Sequence, residues 1–188
     1  MKIKLTTTLL FSLLTISLVC TSQKKSLQIG AKIFNELTLS NQYAPGVGAQ
    51  VIYSITKKSS IESGLYYKIR PNPFLSFPPN SATVYYVEVS ERNLLFPLLY
   101  RFDSHPINFT AGPVLEYNLG WKLRRSHSDI MIKDYITERL KLLASASISK
   151  NFKLSQKWIV EPEFRFSAYV PDGDGSYGIN LSFRKKIF

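Results

Sequence analysis

Two histidines, and no cysteine beyond Cys20, restrict the chemistry open to this 188-residue chain. His127 stands between Ser126 and Ser128 near Asp129, and His105 follows Asp103 and Ser104. A lipid hydrolase would bring a serine, a histidine and a carboxylate together at a membrane surface. His127 is the better placed of the two, but sequence neighbours rarely assemble into a triad, and a polar-loop histidine is the plainer reading. So few nitrogen and sulfur ligands make a transition-metal site a poor fit. Asp172-Gly173-Asp174-Gly175 lacks the spacing and terminal Glu of a calcium loop and reads as a turn. Neither a catalytic residue nor a cofactor is expected.

Charge set into apolar runs is the more informative pattern. Glu161, Glu163, Arg165 and Ser167 alternate with Val160, Phe164, Phe166 and Ala168. The same alternation places Lys32, Glu36, Glu62, Lys68, Arg70, Arg101, Glu116, Lys122 and Arg184 opposite apolar faces. Charges enclosed on one side of a sheet are tolerable only when paired and hydrogen-bonded. The expectation is an interlocked salt-bridge network centred on Arg101, Glu116, Glu161, Glu163 and Arg165, acting as a plug. Lys68, Arg70, Lys122, Arg124 and Arg125, near strand ends, are expected to meet lipid phosphates.

Period-two segments must hold these charges. The longest is Asn93 to Arg124, two strands around the turn Asp103-Ser104-His105-Pro106. Leu94, Phe96, Leu98, Tyr100 and Phe102 share one face. The odd positions from Ile107 to Leu123 form a nine-residue apolar stripe after the turn. Strands average about five to six residues, so such a stripe suits a wall about 25 Å tall. A turn centred between Ser104 and His105 would put Pro97 opposite Gly112, beside Pro113, with a bulge or missing bonds there.

The remaining strands fall near 27–36, 47–56, 61–70, 139–149, 157–168 and 176–187, with loops at 38–45, 71–83 and 125–138. Eight strands follow, joined mostly by alternating short and longer connections. An eight-stranded antiparallel up-and-down transmembrane β-barrel fits this order, with both termini on the periplasmic side. Alternation alone does not say which face is inside. Glycine decides: Gly30, Gly48, Gly64, Gly112, Gly120 and Gly178 all lie on polar faces. Glycine weakens a strand, whereas a narrow lumen needs small residues beside large polar ones. The polar face is therefore read as the lumen. Aromatic residues near strand ends, including Tyr53, Phe109 and Trp158 at one side, suit interfacial girdles.

Composition agrees: 13% aromatic residues favour strands, and the formal net charge of +11 comes from scattered bases, not from the clusters that nucleic acid requires. Residues 1–22 read as a signal peptide, with Lys2 and Lys4 ahead of an apolar core, Leu9 to Val19, too short to span a bilayer as a helix. Cleavage before Gln23 and acylation of Cys20 are the two readings; Val19 before the cysteine disfavours the second. Residues 23–188 then form the barrel.

Three stretches resemble one known family: Ser60-Ile61-Glu62-Ser63-Gly64-Leu65-Tyr66-Tyr67, Asn93-Leu94-Leu95-Phe96-Pro97-Leu98-Leu99-Tyr100, and Ala111-Gly112-Pro113 with Gly120. They are similar to the porin-like outer-membrane β-barrel domain of Gram-negative-type bacteria, over about residues 27–188. The resemblance implies an outer-membrane barrel without an assigned substrate, and not by itself a pore. Phe188 matches the terminal residue of outer-membrane assembly signals if a bulge near Arg184 to Lys186 restores its phase. The expectation is a monomeric, non-enzymatic surface or structural protein. Its partners would be outer-membrane lipid, lipopolysaccharide included, and the barrel assembly machinery during biogenesis. Two alternatives stand beside it: a secreted soluble barrel holding an apolar ligand, and a lipid-modifying outer-membrane enzyme.

Overall fold

The computed structural model describes residues 26–76, 85–126, 138–170 and 174–188. The predicted signal peptide and His127 lie outside them. Nine antiparallel strands follow in chain order: β1 Ser26–Thr38, β2 Tyr43–Ser54, β3 Ser59–Ser76, β4 Tyr85–Asp103, β5 Asn108–Ser126, β6 Leu140–Ser149, β7 Phe152–Lys153, β8 Trp158–Tyr169 and β9 Gly175–Lys186. Sequential neighbours pair, β9 returns to β1, and β6 pairs β8, so the sheet closes on itself. β7 is a two-residue ladder against β8, inside the connection from β6, and accounts for the difference from the expected eight.

Alternation sorts the side chains as a barrel wall requires. On β6, Leu140, Leu142, Ala144, Ala146 and Ile148 point out, while Leu143, Ser145, Ser147 and Ser149 are buried. The exposed side chains include Ile33, Leu98 and Ile179, at 57%, 60% and 63%. The buried ones are predominantly polar or charged. This inverts a soluble protein.

Glycine supplies the room inside. A Cβ on Gly48 would overlap the ring of Tyr66, and one on Gly30 would lie 2.6 Å from Cγ of Arg184. Two large side chains thus cross the lumen over residues that have none.

The β4–β5 hairpin departs from expectation in register. Pro97 faces Val114, two positions from the expected Gly112, because the turn spans Ser104 to Ile107. Each proline opens one ladder of β4. The β4–β5 pairing lapses at Leu98 and Leu99, opposite Pro113 and Gly112. The β3–β4 pairing lapses at Gly64 and Leu65, opposite Pro97 and Phe96, where Ser63 Oγ donates to the Pro97 carbonyl at 2.9 Å. A proline has no N–H to give either neighbour.

Further up, β5 carries two register shifts, at Leu119 and Arg124, opposite Arg92/Asn93 and Glu88/Val89. An extra residue in one strand flips the parity of those beyond it. Trp121 and Leu123 therefore face Glu91 and Val89, whose side chains are buried, and the expected nine-residue stripe ends at Leu119. Lys122, expected in the lumen, is paired opposite Ser90 and exposed.

Other boundaries move too. β3 continues through Pro71 and Pro73 to Ser76, paired with β4, where a loop from Pro71 is expected. The β1–β2 connection is a four-residue turn, not a longer loop. β9 stays in one register with both neighbours, and Phe188 lies beyond its end and exposed, so no bulge near Arg184 to Lys186 restores the phase of Phe188.

Candidate functional site

The barrel interior divides into two polar clusters and an apolar layer between them. Nearer the turns that follow β2 and β4, Lys32 Nζ lies 2.6 Å from Glu62 and 2.8 Å from Glu163. Arg165 answers the same two carboxylates at 3.2 and 2.5 Å. These four residues come from β1, β3 and β8, so the ring of charge ties strands that are not neighbours in the sheet.

Arg101 extends the cluster. It reaches Glu161 at 2.7 Å, Asp103 at 2.7 Å and the far oxygen of Glu62 at 3.9 Å. Arg184 pairs with the second oxygen of Glu161, and Ser149 Oγ donates to the first. Asn151, in the connection after β6, accepts from Arg101 at 3.3 Å and Arg184 at 2.6 Å. Four cations thus face three buried carboxylates, and Asp103 at the mouth supplies the fourth. Neutrality and hydrogen bonding together make such burial tolerable.

The second cluster lies toward the opposite end. Lys68 Nζ sits 2.5 Å from Glu36 and 2.9 Å from Ser176 Oγ, and Asn180 donates to Glu36 at 2.9 Å. Tyr169 OH donates to Glu116 at 2.6 Å. Arg70 pairs with Asp174 and lies over the Tyr169 ring at 4.4 Å.

Between the clusters, Phe34 and Tyr66 meet edge to face, with centroids 4.8 Å apart, beside Leu95, Leu99, Val114 and Leu143. The void left at this level, bounded by Phe34, Tyr66, Leu95 and Arg165 among others, is about 10 Å³. That is at the lower limit for a single water.

Of the five network residues expected from sequence, four come together: Arg101, Glu161, Glu163 and Arg165 belong to the first cluster. Glu116 does not join them; it sits in the second with Tyr169. Lys32, Glu62 and Arg184, assigned only to the lumen, are members of equal standing. Asn151 and Asp103 had no signal beyond their position in turns. The apolar layer did have one, because Asn93 to Tyr100 is hydrophobic on both faces.

Two of the expected lipid-phosphate contacts are corrected. Lys68 and Arg70 are 6% and 7% exposed and spent on Glu36 and Asp174, because even positions of β3 point inward. Lys122 and Arg124 are exposed, and Arg124 pairs with Glu88 at 2.9 Å. The Arg125 side chain lies outside the described residues. At the other candidate triad, Asp103 is engaged by Arg101 and, at 2.8 Å, by Ser60 Oγ. His105 is exposed in the turn.

No protein-family model matches the chain, and no curated sequence matches it. Among solved structures it is similar to the N-terminal β-barrel domain of Pseudomonas aeruginosa OprF, at 9% identity and a TM-score of 0.44, covering 86% of this chain and 98% of that one. It is also similar to Ail, the attachment invasion locus protein of Yersinia pestis, in complex with the heparin analogue sucrose octasulfate: 10% identity, TM-score 0.42, and 87% and 97% covered. At those scores the fold assignment rests on the closed register above.

Proposed function

We propose that this chain is a non-enzymatic outer-membrane β-barrel, with both termini and the β2–β3, β4–β5 and β6–β8 connections in the periplasm. What carries the reading is the inversion of the wall. Large apolar side chains point outward from every one of the eight long strands, among them Ile33, Val47, Leu65, Leu98, Leu115, Leu142, Phe166 and Leu181. Such a belt in water would be one continuous apolar patch, far beyond what a soluble monomer exposes. Against hydrocarbon it is the ordinary lipid face of a barrel. A soluble barrel holding an apolar ligand would need the opposite polarity and an open apolar interior.

The lumen is closed in this proposal. Its support is the residual void of about 10 Å³ in the middle layer, flanked on both sides by paired charges. The expected result in planar bilayers is no stepwise conductance from the purified protein; steady conductance steps would contradict a sealed lumen. The role left to it is structural or interactive, through its surface. Of the five cations expected at lipid phosphates, Lys122 and Arg124 are the ones exposed among the described residues, and they are the candidates for that contact. Delivery by the barrel assembly machinery belongs to the same proposal.

A further inference from the structure

Among the described residues the outer wall carries an apolar depression, and its position suggests an occupant. Outward residues of one rung across β4, β5, β6 and β8 are Tyr100, Ala111, Ala146 and Phe166. The two alanines form a floor between two aromatic walls. One rung nearer the turns, Phe109 and Ile148 rise at the end of the floor. The groove so formed has a volume of about 480 Å³ and an almost wholly apolar lining.

Its turn-side end is basic. Lys58 lies beside Asp103 at the foot of β4, its carbonyl accepting the Asp103 N–H at 2.7 Å. Lys150 follows Ser149 at the foot of β6, and both lysines are exposed. His105 is exposed in the turn between them. Asp103, the carboxylate paired through its backbone with Lys58, is committed to Arg101 and Ser60. An apolar trough leading to a pair of cations is complementary to an acyl chain leading to a phosphate. Binding of this kind gains from buried apolar area and from attraction of cations to anionic headgroups.

We infer that the groove between β4 and β8 seats one anionic glycerophospholipid of the periplasmic leaflet, an acyl chain on Ala111 and Ala146 and the phosphate between Lys58 and Lys150. This rests on the outer-membrane reading, which heat-modifiable migration tests separately. The probe is an equimolar mixture of dioleoylphosphatidylglycerol and dioleoylphosphatidylcholine, added to protein purified from outer membranes and followed by native mass spectrometry.

The wild type should retain one phosphatidylglycerol about tenfold more than phosphatidylcholine. Ala111→Leu with Ala146→Leu fills the trough from the lipid side and should reduce retention of both lipids at least tenfold. Lys58→Gln with Lys150→Gln should keep a bound lipid and lose the preference for phosphatidylglycerol. If the double leucine variant does not fold, Ala146→Leu alone carries the same expectation. Undiminished retention in the leucine variant, or an intact preference in the glutamine variant, would overturn the site. A protein dimer that disappears on filling the groove would also overturn it, assigning the surface to a second copy of the chain.

Discussion

Replacing Glu161 by Gln should cost the folded barrel about 3–5 kcal/mol, the range for breaking a buried ion pair by removing one partner. Glu161 is the one carboxylate shared by Arg101 and Arg184, both 1% exposed. Without its charge, two guanidinium groups face each other in the lumen, and only Asp103 and, at 3.9 Å, the far oxygen of Glu62 remain on Arg101 to balance them. Urea unfolding of the heat-shifted species in micelles measures the loss. Adding Arg184→Gln to Glu161→Gln should recover part of it, since one unpaired charge is then removed. Glu88→Gln is the control: its partner Arg124 is 59% exposed on its side chain, and exposed pairs are worth about 0–1 kcal/mol. Unfolding of the Glu161 variant at the wild-type urea concentration would mean that the cluster contributes no net stability.

The second large effect lies on the outer wall. Leu115 points outward between Phe96 and Leu142, within the apolar band. Leu115→Arg should destabilise the barrel by about 2–4 kcal/mol in a bilayer, the cost of a cation near the midplane. The same change at Ile187, beyond the end of β9, should cost about 0–1 kcal/mol, as expected near an interface. Equal, small effects at both positions would place the wall in water, where an exposed arginine costs little.

How much of this is readable without coordinates depends on the residue. Period-two alternation makes the strands and their inner and outer faces legible, and inward glycines such as Gly48 make the lumen legible, because only a crowded interior needs them. The charged cluster is legible as composition, since Glu161, Glu163 and Arg165 occupy consecutive inward positions. Its partners are less so: which charges meet depends on the stagger of strands across the barrel, and that stagger brings Lys32 rather than Glu116 to Glu163. The register shift at Leu119 is hidden, because apolar residues continue at the old spacing through Trp121 and Leu123 while the backbone changes parity. Pro71 and Pro73 read as a loop, yet β3 continues through both to Ser76. Lys68 and Arg70 show why a cation near a strand end need not meet lipid; parity alone turns them inward.

The central claim, that lipid covers the apolar wall of a closed barrel, is met most directly by gel migration of the outer-membrane fraction with and without boiling. The account predicts that the protein is found in that fraction and that the unheated band migrates separately from the boiled one, as a folded barrel resists detergent until heated. Recovery of the mature chain in the detergent-free soluble fraction, with one band under both conditions, would contradict it.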